Sequence, residues 1–400
     1  MVAVDESIPA RVRAWRQRRG WSQQQFADAL GLTLSWVKKF EAGGRQTDPR
    51  VSLLVDIARV LDVPLDVLIS GGQPEPVAAP LEETEIADLR AALLRPVQAD
   101  LGHTAPCDLR RQAAYGYDAY QAGNYTALGR LLPGLIGAVR AAVSASTDPE
   151  AAHALTDTYH LTAIALMKFG DPLSAWHAAD RSLVTAEVLG DPVAIALAAQ
   201  ALIYAATGIG QGATGVTIAQ AVLDRIGPAL AGLGTEGWTA TGMLQLKAAV
   251  AAAEVGDASL ARDMIDAARV SAKHVPADAN VRRTGFNATN VLLYQASVLG
   301  QLGDHTGALN AATAIHPAAF AALPRERRTH HLVETAGSAL ATGRADAALT
   351  MLLHAERDNP QEVRHLPLAR TVVDRLINAR NGPSDQRELR ALARRAGVAG

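Results

Sequence analysis

Apolar residues recur every three or four positions along nearly the whole chain, the period of an amphipathic helix rather than of a strand. Ile8, Val12 and Trp15 make the first such stripe, which Ser7 caps, Pro9 opens and Gly20 ends. Ser22, with Gln25 three residues later, reads as a capping box. Behind it Phe26 and Leu30 face inward, and Gly31 makes the turn because glycine adopts a left-handed backbone cheaply. Thr33 caps a third helix with Val37 and Phe40 on its buried side. Leu34, Ser35, Lys38 and Lys39 are left on its outward side. Two further helices, Val51 to Leu61 and Pro64 to Ile69, complete a small helical domain, with Leu53, Leu54, Ile57, Ala58 and Leu61 supplying core.

Residues 71–84, rich in Gly and Pro, read as a linker. Beyond it the helical pattern continues, interrupted at Gly123-Asn124, Gly170-Asp171, Gly208 to Gly215, Gly256-Asp257, Gly303-Asp304 and Gly343-Arg344, about 40 to 48 residues apart. Each break separates two Ala-rich helices. Small residues at fixed places let paired helices pack closely, and stacked pairs bury one continuous core. Residues from Leu109 on suffice for six pairs.

The net charge of −2 conceals an asymmetry. Residues 8–50 hold nine Lys/Arg against three Asp/Glu, a local +6, so the remainder is acidic on balance. A basic head on an acidic body fits a chain that meets nucleic acid at one end. No stretch of eighteen apolar residues is free of charge, and the first residues lack an apolar export core; a cytoplasmic protein without a membrane span is expected. The single Cys107 excludes an intramolecular disulfide and is expected as a buried free thiol.

Two short helices joined by a tight turn, with basic residues on the outer face of the second, have the shape that enters the DNA major groove. The strings Ser-Gln-x-x-Phe-Ala from Ser22 and Gly-Leu-Thr-x-Ser-x-Val-x-x-Phe-Glu-x-Gly from Gly31 resemble the five-helix DNA-binding domain of the Cro/cI-like (XRE) family. The resemblance covers about Ile8 to Ile69 and implies roles. Gln23 and Arg45 would touch phosphate. Leu34, Ser35 and Lys39 would face base edges, with Lys38 beside them and Thr33 at the helix start. Glu41 would pair with Arg16. Leu34 departs from the polar residue common in the family and would press on a thymine methyl instead of hydrogen-bonding a base. Trp36, also placed in the contact set, either covers the sugar-phosphate wall or packs back on the second helix.

The glycine-punctuated remainder resembles degenerate tetratricopeptide repeats. The expected fold is all-α: a lambda-repressor-like head at residues 1–70 and an α-solenoid at 85–400. An XRE head on such an array is similar to ligand- and peptide-responsive bacterial regulators, which implies homodimers on palindromic double-stranded operators and an effector bound by the array.

On the array, Asn287, Asn290 and Tyr294 fall at i, i+3 and i+7 of one helix, a spacing that suits hydrogen bonding to a peptide backbone or the satisfaction of neighbouring helix ends. Arg282 and Arg283 just before them could hold an acidic group; Gln245, Gln200 and Tyr204 are polar positions on other pairs. Gly210 to Gly215 spells GxGxxG, but no strand precedes it, so an inter-helix loop is expected. His330 and His331 are adjacent and must point apart, which is not zinc spacing. No metal, no cofactor and no catalytic set is expected. The leading expectation is a ligand- or peptide-responsive regulator of transcription; the alternative is a protein-interaction scaffold with a DNA-tethering head.

Overall fold

The computed structural model describes residues 7–18, 21–43, 51–61, 83–96, 104–379 and 382–398. Contacts divide the chain into two units, Met1–Ala79 and Pro80–Gly400. Among the described residues all regular structure is helical. Gly20, Arg45, the helix expected at Pro64 to Ile69 and most of the 71–84 linker lie outside them.

The first unit holds α1 (Ile8–Arg18), α2 (Gln23–Leu30), α3 (Leu34–Glu41) and α4 (Val51–Leu61). Ser22 and Gln25 form the reciprocal capping box, Gly31 is left-handed at φ 65°, and the Thr33 hydroxyl accepts from the Trp36 N–H. Val12, Phe26, Val37, Phe40, Ile57 and Leu61 are fully buried together.

The second unit opens with α5 (Glu83–Leu94) and then runs as six pairs: α6 (Pro106–Gln121) with α7 (Tyr125–Ala145), α8 (Pro149–Lys168) with α9 (Pro172–Leu189), α10 (Pro192–Gly208) with α11 (Gly212–Ala231), α12 (Gly234–Glu254) with α13 (Ala258–Ala272), α14 (Ala288–Gln301) with α15 (His305–Thr313), and α17 (Arg325–Ala341) with α18 (Ala345–Asp358). A short α16 (Pro317–Ala321) precedes the last pair, and α19 (Pro360–His365), α20 (Pro367–Ile377) and α21 (Gln386–Arg395) follow it. Helix α7 is apolar enough by length and composition to cross a membrane. It carries Arg130 and Arg140, however, and buries Leu128, Leu132, Leu135, Ile136 and Val139 in the core of the array.

A glycine followed by Asp or Asn builds four of the six breaks. Gly123, Gly170, Gly210, Gly256, Gly303 and Gly343 are all left-handed, with φ from 71° to 86°. The next N–H reaches back to close the first helix: Asn124 to the Ala119 carbonyl, Asp171 to Leu166, Asp257 to Ala252 and Asp304 to Leu299, each at 2.8–2.9 Å. The side chain of that same residue then caps the next helix, accepting from the N–H of Ala127, Ser174, Leu260 or Gly307. Gln211 and Arg344 make the first bond but no side-chain cap.

Two expectations are corrected. The break at Gly208 to Gly215 is only three residues long, because α11 restarts at Gly212. There glycine is needed for packing: a Cβ on Gly212 would lie 2.8 Å from the Ala251 carbonyl oxygen. Cys107 is exposed, since it sits in the first turn of α6 on a side with nothing packed over it.

The array does not remain an open superhelix. Its first pair meets its last. The backbone N–H groups of Tyr125 and Thr126 donate to Gln361 Oε1 at 2.8 and 3.1 Å, and the Tyr125 hydroxyl donates to Glu362. Gly123 lies so close to Asn359 that a Cβ would fall 1.8 Å from its Nδ2. At the centre of the seam the buried Lys168 ammonium donates to Glu326 at 2.5 Å and Glu362 at 2.7 Å, with His330 Nδ1 at 3.0 Å. Farther along, Arg283 pairs with Asp118 at 2.6 Å.

Alanine at Gly303 meets no atom within 4 Å, so only its left-handed backbone opposes the change. Gly303→Ala should cost about 1–2 kcal/mol in urea unfolding; an unchanged midpoint would show that the turn relaxes freely. Lys168→Met strands two carboxylates in the seam and should cost about 3–5 kcal/mol. Adding Glu362→Leu to that variant should recover part of the loss, and a further drop would contradict the buried-charge account.

Candidate nucleic-acid interface and ligand cavity

The head's geometry rests on one buried ion pair. Arg16 Nε and Nη2 donate to the two carboxylate oxygens of Glu41 at 2.6 and 2.8 Å, and Nη1 donates to the Trp21 carbonyl at 2.6 Å. One guanidinium thus ties α1 to the end of α3 and to the entry of α2. Bidentate pairing of this kind fixes direction as well as distance. Gln23, expected against phosphate, donates through its carboxamide to Glu41 at 2.9 Å. Ser35, Lys38 and Lys39 are exposed on α3, and Leu34 is half-buried beside them. Trp36 lies flat on Phe40 of its own helix, ring centroids 4.9 Å apart, and is half-buried against the head's core. Its ring thus stacks within α3 and packs back on a core that includes Phe26 and Ala27 of α2. The outward face of α3 is short, basic at Lys38 and Lys39, and able to carry its side chains to base edges or phosphates.

The array encloses a cavity of about 590 Å³. Its lining follows from the repeat. The sixth residue before the break glycine faces it in five successive pairs: Tyr117, Ile164, Tyr204, Val250 and Ser297. Neighbouring turns of the same helices add His160, Lys168, Gln200, Lys247, Asn290 and Tyr294, and α17 adds Glu326, Arg327, His330 and Glu334. The loop carrying Arg282 and Arg283 closes one side. Both arginines are left-handed, at φ 51° and 55°, a costly backbone for a side-chain-bearing residue.

Of the array residues singled out from sequence, Asn290, Tyr294, Arg282 and Arg283 meet in this cavity. Asn287 does not line it, because its side chain is the N-cap of α14 and accepts from the Asn290 N–H at 3.0 Å. Gln245 is also elsewhere, accepting from the Ser271 hydroxyl at 2.8 Å between α12 and α13. Gln200 and Tyr204, read as ordinary positions, do line it, as do Lys168, Lys247, Arg327 and His160, which sequence reasoning passed over. A readable signal existed: Gln200 is a lone carboxamide in an otherwise apolar buried helix.

Charges in the cavity are partly cancelled by each other. Lys168 is held protonated: burial disfavours the ammonium, but Glu326 and Glu362 outweigh it. Burial pushes Glu362 up, yet Lys168 and His330 bring it down to about 2. Glu334 is held well below its usual range, because His330, Arg327 and the Ser297 hydroxyl at 2.6 Å outweigh its burial. Glu326, His330 and Glu362 cluster closely enough to ligate a metal ion. The place of that cation is taken by the Lys168 ammonium. His331 points away, against Phe320, so the adjacent histidines do diverge.

Among the described residues, four buried polar atoms at this cavity have no hydrogen-bond partner: His160 Nε2, Gln200 Oε1, Asn290 Nδ2 and Glu334 Oε2. Each such atom costs about 1–3 kcal/mol until something pairs with it.

The histidines set the acid response. Burial lowers His160 to about 4, aided by Arg282 and Lys247, and lowers His331 to about 4. Neutral rings favoured in the fold add stability above pH 6.5, and that stability is lost as pH falls toward 4. His330 is raised: burial and Lys168 oppose its charge, but Glu334 and Glu362 prevail. Its contribution is full below pH 6.5 and is lost as pH rises through its raised value. Burial also lowers His365 to about 4, so three opposing histidines against one predict a net loss on acidification. Urea unfolding at pH 5 should show the array weaker than at pH 7, by on the order of 1–2 kcal/mol for each of His160 and His331. His331→Phe should flatten the curve; an equally steep curve would assign the loss elsewhere.

A helix-turn-helix family model matches residues 12–68. YazB, an uncharacterised HTH-type transcriptional regulator of Bacillus subtilis (strain 168), is 38% identical over 58 residues, 14% of this chain and 81% of YazB. YqaE of the same organism, likewise an uncharacterised HTH-type regulator, is 37% identical over 62 residues, 16% of this chain and 52% of YqaE. Among solved structures, Bacillus thuringiensis PlcR in complex with the peptide PapR7 and DNA aligns at 14% identity and TM-score 0.26, over 67% of this chain and 95% of PlcR. The buried Arg16–Glu41 tie, the capped turn between α2 and α3 and the match to YazB lead to one conclusion: the chain belongs to the XRE (Cro/cI-like) family of helix-turn-helix, DNA-binding transcriptional regulators.

Proposed function

We propose that the array senses a small ligand in its cavity and thereby controls how a homodimer of the protein engages a palindromic operator. The observation that carries the sensing half is the group of four unpartnered buried polar atoms around one cavity. A ligand group that reaches them offsets the cost of their burial. The volume falls within the range of sites for drug-sized molecules. The closed seam favours such an occupant over a partner protein, which needs an open groove. PlcR was solved with a peptide and DNA, and a short peptide is the second candidate occupant here.

The DNA half is assigned to α3. Ser35 and Lys39 face bases, Leu34 presses on a thymine methyl, and Lys38 contacts phosphate or base. The helix start at Thr33 and Gln23 offers backbone N–H groups to phosphate, since the Gln23 side chain is occupied by Glu41. Ligand occupancy acts by differential affinity for two arrangements of the dimer.

Selection from randomised duplexes should yield a palindrome, and Lys39→Ala should weaken binding to it by about 1–3 kcal/mol while leaving a scrambled duplex nearly unaffected. Equal loss on both would reduce Lys39 to a phosphate contact. Sensing is tested by a thermal-shift screen of the full chain against small metabolites, followed by operator affinity with each stabilising compound. Stabilisers that leave operator affinity unchanged throughout would overturn the sensing role.

A further inference from the structure

One wall of the cavity carries two cations, Lys247 and Arg327; Glu334 and Glu326 act on Arg327, and no ion pair is made by Lys247 among the described residues. Elsewhere in the cavity the cations are spoken for. Lys168 sits between Glu326 and Glu362, Arg283 pairs with Asp118 at 2.6 Å, and Arg282 faces Glu236 at 3.8 Å. Lys247 is different: it lies over two aromatic rings, Tyr204 at 4.0 Å and Tyr294 at 5.4 Å, and is hydrogen-bonded to the Tyr294 phenol. Glu254, on the same helix, is two turns away, about 10 Å by helix rise. Arg327 lies over the other side of Tyr294 at 4.4 Å, and its Nε donates to Asn290 Oδ1 at 3.0 Å. That bond orients the fully buried Asn290 so that its Nδ2 donor is left without a partner.

The surroundings register the field. Burial raises the Tyr294 phenol, yet Lys247 and Arg327 bring it below its ordinary value. Across the cavity, Lys247 adds to the burial that keeps His160 neutral. Gln200 Oε1, an unpartnered acceptor, and the apolar Met243 and Val250 complete the wall.

We propose that this wall is an anion subsite: Lys247, Arg327 and the free amide of Asn290 hold the acidic group of a small organic anion, whose apolar body lies against Tyr204 and Met243. Gln200 accepts a hydrogen bond from a donor elsewhere on the same molecule. The assignment rests on the reading of the cavity as the sensing site and narrows its occupant from any small molecule to an amphipathic acid.

The test uses the full chain and two dyes. Anilinonaphthalene sulfonate is an aromatic anion; Nile red is a neutral apolar control. Expected are one sulfonate dye per chain, at least tenfold weaker binding in Lys247→Met, binding within threefold of wild type in Lys247→Arg, and Nile red affinity equal in all three. Nile red binding together with equal sulfonate affinity in wild type and Lys247→Met overturns the anion subsite and leaves the cavity reading standing. Binding of neither dye overturns both. Should Lys247→Met melt below the assay temperature, wild type answers by competition. Benzoate must displace the sulfonate dye and the same concentration of benzamide must not; equal displacement, or none by either, overturns the proposal.

Discussion

The array depends on one buried ammonium. Lys168 belongs to the second helix pair, and its partners Glu326 and Glu362 belong to the last pair and the helix after it. Removing an ion of this size from water costs several kcal/mol, and only close, fully paired geometry repays it. The pairing therefore works only if the ends of the array come together, and when they do, the inner faces of its first helices enclose a volume. The cavity and the closure are one fact. Had Lys168 faced solvent, Tyr117, Tyr204 and Ser297 would line an open concave strip.

Local signals in the sequence reached far. Ser22 with Gln25, the glycine at 31 and the Gly-Asp breaks each act through bonds to residues within a few positions, so their effect is visible in a linear string. The repeat length was legible for the same reason, and with Gly210 as the turn glycine the breaks are 40 to 47 residues apart. Closure was not legible. Lys168 and Glu362 are 194 positions apart, and no period or cap relates them. The same distance hid most of the cavity. Asn290 and Tyr294 were found because they share a helix, whereas Lys247 and Arg327 acquire meaning only when α12 and α17 face one another. Asn287 takes the other role its position allowed, satisfying a helix end: the helix begins one residue later and its side chain serves as the cap.

Head and array solve the burial of charge in related ways. In the head, Arg16 closes on Glu41 with two parallel bonds and a third to a carbonyl, leaving nothing unpaired. That suits a unit whose recognition helix must stay at a fixed angle. The array pairs Lys168 as completely, while Lys247 and Arg327 lie over the rings of Tyr204 and Tyr294.

The break glycines make neighbouring pairs nearly interchangeable, and an open stack of such pairs behaves as a one-dimensional chain whose free ends fray first. Joining Gln361 and Glu362 to Tyr125 gives that chain a periodic boundary. Neither terminal pair is then a terminus in the energetic sense, because releasing either one breaks an interface on both sides. Opening either terminal pair therefore costs more than it would in an open stack of the same pairs.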